Sequence, residues 1–332
     1  MNHSSSPSRS LPGTKLGWIG LGTMGSAMAA NLQKHLSEKQ APNLRFYNRT
    51  ESRGAILRQL GGTPSTVRDL VTNSDIIFLS LSDDAAVESV LEEILEAGES
   101  PIHLDKKIIV DTTTIQPSTS VKAMSKLQKR GANYVAAPVV GTCPTAAKGQ
   151  LLWILAGKEA SVDAVSPYII GTMGRAAVIL GEDVCLASLM KSIANSLTMG
   201  MIEVIGEAHV FAEKVGLGIA VVESLIQQQI GSVGLFISQR LTTGAYMPPR
   251  GERPWSDAGL AFSIAKKSMA TSRKEGLRLG IGSLVLRQLE EVKEFADSEG
   301  RQLDASAIYG IIMMNSGLSF ETNYVKKRDS FV

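Results

Sequence analysis

The segment Leu16-Gly17-Trp18-Ile19-Gly20-Leu21-Gly22-Thr23-Met24-Gly25 constrains this chain more than any other stretch. An uncharged run leads into three glycines spaced G-x-G-x-x-G, and Ser26–Leu36 beyond them reads as a helix. A short buried strand that turns through glycines into a helix is how a dinucleotide-binding unit begins. Gly20 permits the tight turn, Gly22 lets the backbone approach a pyrophosphate, and Gly25 lets the helix lie close on the strand. The phosphates would meet first-turn amides that have no partner inside the helix, with Thr23 and Met24 completing the contacts.

A chain of 332 residues is long enough for two cores. Hydrophobic residues make up 44% and charged residues 20%, as in a folded globular protein. The 34 basic residues nearly balance 32 acidic ones, so the net charge of +2 asks for neither nucleic acid nor an anionic membrane as partner. No stretch approaches the length of an apolar membrane span. Cys143 and Cys185 are too few for a disulfide framework. Neither they nor His3, His35, His103 and His209 show metal-ligand spacing, so no metal is expected. A reducing, cytoplasmic setting follows from the cysteine usage. Residues 1–13, rich in Ser and Pro, read as a disordered tail, and Arg9 alone gives a mitochondrial presequence little support.

From Lys15 onward, short apolar runs alternate with helical patterns. Strands are expected at Leu16–Gly20, Leu44–Tyr47, Ile76–Leu81, Lys107–Val110, Tyr134–Ala137, Leu151–Ala156 and Ala177–Leu180. Helices are expected at Ser26–Leu36, Glu51–Leu60, Ser65–Thr72, Ala85–Leu95 and Ser118–Arg130. This alternation predicts an α/β Rossmann domain, doubly wound with a largely parallel sheet, over residues 14–182. Beyond it the pattern is helical only: Val184–Val215, Val221–Thr242, Ser256–Gly276, Gly282–Glu299 and Ser306–Ser316. Residues 183–325 thus read as an all-helical domain entered by one long helix. The proline-rich segment Thr243–Pro254 reads as a loop or partner-facing excursion.

The end of the second strand selects the dinucleotide. An acidic side chain there bonds the ribose 2′-hydroxyl, whereas a basic one accommodates a 2′-phosphate. Phe46-Tyr47-Asn48-Arg49-Thr50 offers the Arg49 fork with hydrogen-bonding groups at Asn48 and Thr50. The residues favour NADP over NAD, and the competing reading is that Arg49 is a solvated loop residue.

Three further segments bear on chemistry. In Val110-Asp111-Thr112-Thr113-Thr114-Ile115-Gln116-Pro117, the Thr113 hydroxyl at a strand end suits a carboxylate or a carboxamide, or else caps a helix. Gly131–Thr142 contains Ala136-Ala137-Pro138-Val139-Val140-Gly141-Thr142. Leu189–Ser196 sets Lys191 and Asn195 four apart, on one helix face, near where two domains would meet. Apolar neighbours Leu186, Leu189, Met190 and Ile193 leave Lys191 either snorkelling to water or held in a cleft with a lowered pKa.

With the glycine fingerprint, these segments resemble the β-hydroxyacid dehydrogenase family, which includes the 3-hydroxyisobutyrate and 6-phosphogluconate dehydrogenases. The resemblance runs from Lys15 to about Gly310. The first segment resembles D-x-S-T-x-x-P, with Thr113 at the serine. The second resembles G-x-x-x-x-D-A-P-V-S-G-G, with Ala136, Val140 and Thr142 replacing Asp, Ser and the second Gly. The third resembles K-x-x-N-N, with Ala194 replacing the first Asn. Lys267-Ser268-Met269 stands where the family has K-D-L.

The resemblance implies an NADP-dependent oxidoreductase that transfers hydride to or from a small carbonyl or β-hydroxyacid-type substrate. It implies Lys191 as general acid and base, with Asn195 orienting the substrate. Leu81, Thr113 and Lys267 would touch the cofactor, and Thr113, Val140, Gly141 and Thr142 the substrate. Lys267 also fits a surface charge. A homodimer or homotetramer is implied as well. An imine reductase-like enzyme and a catalytically inactive NADP-binding module are the alternatives.

Overall fold

Apolar side chains that alternate along short strands give the sheet two buried faces, and the helices between strands cover both. A computed structural model describes residues 13–98, 104–274 and 276–330; the expected tail, apart from residue 13, lies outside the described residues, as do His3, Arg9 and His103. Six strands run parallel: β1 (Leu16–Ile19), β2 (Arg45–Tyr47), β3 (Thr63–Pro64), β4 (Ile76–Leu79), β5 (Ile108–Asp111) and β6 (Asn133–Ala136). Their spatial order is 3-2-1-4-5-6, so the direction of winding reverses beside β1. At the far edge β7 (Val139–Val140) and β8 (Leu151–Gly157) add antiparallel pairs, and β9 (Gly174–Ile179) pairs in parallel with β8. Pairing at β3 and β7 involves only two residues each, too short for a periodic sequence signal.

Around the sheet lie α1 (Thr23–Glu38), α2 (Ala55–Gln59), α3 (Val67–Asn73), α4 (Asp84–Ala97), α5 (Pro117–Gln128), α6 (Cys143–Ala147) and α7 (Glu159–Ile169). The expected helix Glu51–Leu60 begins instead as a tight three-residue-per-turn helix, Glu51–Gly54. Neither α6 nor α7 is among the expected helices; Pro144 sits in the first turn of α6, where a missing amide costs nothing, and Pro167 lies inside α7. Trp18, Phe78, Val110 and Trp153 fill one face of the sheet with Met28 and Leu32 of α1. Ile19, Ile77, Leu79 and Ile109 fill the other beneath Leu70, Leu91 and Leu127.

The long helix α8 spans Val184–Lys214. The described residues up to Lys191 form one compact unit and those from Ser192 a second. The division falls inside α8, not at residue 182, because Val184 and Ala187 belong to the core of the first unit.

The second unit contains the rest of α8 with α9 (Ile219–Gln229), α10 (Ser232–Thr242), α11 (Ala258–Lys274), α12 (Gly280–Glu299), α13 (Ile308–Asn315) and α14 (Asn323–Asp329). The expected single helix Val221–Thr242 is broken at Gly231, whose φ of 86° lies in the left-handed region. Ile202, Ile205, Leu241, Leu289 and Tyr309 form part of its core.

The proline-rich segment is pinned rather than excursive. Buried Tyr246 donates its hydroxyl to the Phe320 carbonyl (2.7 Å) and accepts the Thr322 amide (3.0 Å). The Arg301 guanidinium donates to the Pro248 carbonyl. Just beyond, Asp304 pairs with buried Arg240 and accepts the amides of Ser256 (2.8 Å) and Ser306 (2.9 Å). Arg240 also lies over the ring of Trp255. Replacing one partner of a buried ion pair strands the other charge. Asp304→Ala is therefore expected to destabilise the second unit by about 3–5 kcal/mol, read as a lowered midpoint in urea denaturation; an unchanged midpoint would refute that role.

Candidate functional site

The turn after β1 is built by contacts that only glycine satisfies at two of its positions. Gly20 has a φ of 100°, and a Cβ there would sit 2.2 Å from the Ser80 carbonyl oxygen. Its amide donates to Tyr47 (3.0 Å) and its carbonyl accepts the Trp18 indole N–H (2.9 Å). A Cβ at Gly25 would lie 2.3 Å from that same carbonyl oxygen. Gly22 is different. It caps α1, and a Cβ there would meet no atom of the described residues within 4 Å. Among the described residues no side chain caps α1 and its first turn holds no acidic residue, so its amides and partial positive charge are not met by a side-chain oxygen. Backbone of this kind fits a pyrophosphate.

At the end of β2 the Asn48 side chain braces the turn. Its Oδ1 accepts the Leu21 amide (2.7 Å), and its Nδ2 donates to the Thr50 carbonyl (2.8 Å). Arg49 and Thr50 are exposed, and the Arg49 guanidinium has no hydrogen bond or ion pair among the described residues.

The ends of β4 and β5 are joined by the Leu81 amide, which donates to Thr113 Oγ1 (3.0 Å). Thr113 accepts that bond, and its own hydroxyl proton is directed at the Asp111 carboxylate, which it helps keep ionised. Val140, Leu81, Leu180 and Met190 are partly buried and pack against the core cluster that includes Leu79, Ile109 and Ala187. Gly141 turns the chain at a φ of 145°, and Thr142 Oγ1 shares a hydrogen bond with Thr145 Oγ1 (3.1 Å). Asn31 of α1 donates to the Ala146 carbonyl (2.9 Å), and the Cys143 thiol meets Met24 Sδ at 3.7 Å. The fingerprint and the Leu81–Thr113 pair thus lie at the carboxyl ends of the central parallel strands β1, β4 and β5, and Asn31 of α1 ties the segment after the Val140–Thr142 loop to the same helix.

Lys191 closes that unit. It is partly buried, and its amine has no hydrogen-bond or ion-pair partner among the described residues. Burial lowers its pKa to about 8. Asn195, one turn further along α8, and Lys267 on α11 belong to the second unit, and both are partly buried. Among the described residues no cluster of three His, Cys, Asp or Glu could hold a metal, and no helix is long and apolar enough to cross a membrane.

One residue of the Val110–Pro117 segment has no role read from sequence. Asp111, only 1% exposed, accepts the Thr113 amide on Oδ1 (2.9 Å) and the Tyr134 hydroxyl on Oδ2 (3.0 Å). Burial pushes its pKa up to about 6 and that of Tyr134 well above the usual phenol range. The sequence did hold a signal, because Ile108-Ile109-Val110 carries a carboxylate at the end of a strand buried on both faces.

Comparison with known proteins matches residues 15–181 to the NAD binding domain of 6-phosphogluconate dehydrogenase. The NADH-dependent oxidoreductase ucdB of Aspergillus ustus is 33% identical over 304 residues, covering 90% of this chain and 99% of that protein. The 2-hydroxy-3-oxopropionate reductase of Escherichia coli (strain K12) is 29% identical over 305 residues, 89% of this chain and 95% of its own length. Mycobacterium tuberculosis 3-hydroxyisobutyrate dehydrogenase shares the fold, with a TM-score of 0.74 at 19% identity over 90% of this chain and 99% of that one.

The three glycines separate folding from binding. Gly22→Ala should fold with wild-type stability and lose NAD(P)H affinity, whereas Gly25→Ala should lose roughly 1–3 kcal/mol of stability through overpacking. Denaturation midpoints and fluorescence titration with NAD(P)H read the two effects, and equal behaviour of the variants would contradict the assignment.

Proposed function

This chain belongs to the β-hydroxyacid dehydrogenase family of NAD(P)-dependent oxidoreductases, and from that premise we propose that it exchanges hydride between NADP(H) and a small carbonyl or β-hydroxyacid-type substrate, with Lys191 as general acid and base. The observation that carries the reading is the partly buried Lys191 amine, unpartnered among the described residues and lowered to about 8. A group that titrates near neutrality populates both the donating and the accepting form.

Gly20, Gly22, Thr23, Met24 and Gly25 would hold the pyrophosphate, and Asn48, Arg49 and Thr50 would meet the adenosine end. Leu81, Thr113 and Lys267 would border the nicotinamide. When bound, the cofactor supplies or accepts the hydride. Lys191 protonates the carbonyl oxygen in reduction and takes the hydroxyl proton in oxidation. Asn195, on the same face of α8, would orient the substrate oxygen. Val140, Gly141, Thr142 and the Thr113 hydroxyl would line the substrate.

We also propose a homodimer or homotetramer. On α8 of the second unit, Ile193, Leu197, Val204 and Phe211 are each more than half exposed and recur at spacings that form one stripe; Val221 and Leu225 on α9 are exposed as well. Such a stripe suits a second copy of itself better than water.

Three measurements test these readings. NADPH oxidation against aldehydes, semialdehyde acids and cyclic imines finds the substrate class, and Lys191→Ala should then lower kcat roughly 10²–10⁴-fold with NADPH affinity retained. Reduction needs the ammonium, so its rate should fall as pH rises through about 8, while oxidation needs the free amine and should rise through the same range. Unchanged turnover in the variant removes Lys191 from the mechanism.

The relative from Aspergillus ustus carries NADH in its name, so NADH is the cofactor to compare. Arg49→Ala should weaken NADPH and spare NADH, and a wild-type preference for NADH would overturn the assignment. Light scattering should give at least a dimer, which Phe211→Glu weakens; a monomeric wild-type chain would refute the interface.

A further inference from the structure

Asp111 and Tyr134 take no part in the chemistry assigned to Lys191, yet they begin a line of buried hydrogen bonds that ends on the helix carrying it. We propose that Asp111 is a positioning residue that sets, through the hydroxyls of Tyr134, Ser120 and Ser188, the turn of α8 from which Lys191 projects. This rests on the reading of Lys191 as general acid and base.

The line lies wholly within the first unit. Asp111 Oδ1 accepts the Thr113 amide, which fixes the loop whose Oγ1 accepts the Leu81 amide. Asp111 Oδ2 accepts the Tyr134 hydroxyl (3.0 Å), and the Ser120 hydroxyl on α5 faces the Tyr134 oxygen and offsets part of the rise in its pKa. Ser120 Oγ lies 2.8 Å from Ser188 Oγ, and both residues are buried. Side chains on a helix lean toward its N-terminus, so the stem of Lys191 lies over the turn containing Ser188.

The carboxylate gives the line a direction. An ionised Asp111 only accepts, which commits the Tyr134 proton to Asp111 and the Ser120 proton to Tyr134. Ser188 is then the donor to Ser120. A protonated Asp111 donates instead, and the line can reverse, turning Ser188 into an acceptor. The titratable groups facing Asp111 are Tyr134 from β6 and Asp84 from α4, which favours protonation; α5 and α8 face the line with Ser120 and Ser188. Burial brings Asp111 to about 6, so the reversal falls just below neutrality. Its folded-state pKa lies above the free value. Ionisation therefore opposes folding, with stability declining as pH rises toward about 6 and constant above it. A carboxylate kept at that cost points to a role beyond packing.

Competitive labelling of the full chain with trace acetic anhydride, quantified at Lys191 by mass spectrometry across pH, tests this without a substrate. Exposed Lys129 serves as the internal reference. Wild-type Lys191 should show its own inflection near 8 and a second near 6. Asp111→Asn and Tyr134→Phe should both abolish the second. Each should also move the Lys191 midpoint by about half a unit, roughly threefold in free amine at neutral pH.

A merely structural Asp111 would change the denaturation midpoint and leave Lys191 labelling as it was. Identical Lys191 profiles in the three proteins overturn the proposal. Should Asp111→Asn fail to fold, the profiles of Tyr134→Phe and Ser120→Ala decide in the same way. Turnover retained by Lys191→Ala would instead defeat the general acid, an outcome these labelling profiles do not share.

Discussion

The carbonyl of Gly20 is the contact on which the first unit's site depends. The Trp18 indole holds it from within the core, and α1 approaches it so closely that only the bare Cα of Gly25 fits alongside. That approach fixes the start of α1 beyond the reversal in sheet order, with its first-turn amides uncapped by any side chain of the described residues. Asn31, two turns along α1, then anchors α6 and with it the Val140–Thr142 loop. One close packing contact therefore sets both the nucleotide-facing turn and the wall expected to face the substrate.

The second unit uses a polar anchor in the same capacity. Asp304 gathers Arg240, Ser256 and Ser306, while Tyr246 and Arg301 fasten the proline-rich segment. Where the first unit is organised by a steric limit on approach, the second is organised by charges whose exposure to water has been exchanged for mutual contact.

Local patterns in the sequence carried the glycine turn, the parallel strands and the long helix, because each is written in the spacing of neighbouring residues. Val184–Val215 was expected and Val184–Lys214 is observed. The break at Gly231 was hidden because apolar periodicity continues on either side of it, and one glycine inside such a run is compatible with an unbroken helix. The proline-rich segment reads locally as a loop, since the residues that pin it, Arg301 and Phe320, lie 53 and 74 positions from their partners. Asp111 stands in the D-x-S-T-x-x-P segment, but its bonding is not local: its hydroxyl partner Tyr134 is 23 residues away, on the neighbouring strand. In the candidate site the glycines, Thr113 and Lys191 were legible as motifs. The bonds that orient them were not, because they join segments distant in the chain.

The bond from Trp18 to Gly20 has an optical consequence. The chain holds three tryptophans, and this one is sealed from solvent, stacked on Phe78 at a centroid separation of 5.3 Å, with its indole N–H committed to the turn itself. Its emission is therefore coupled to the polarity and geometry of that turn rather than to bulk water. The fold thereby carries a fluorophore of its own at the base of the nucleotide-facing loop.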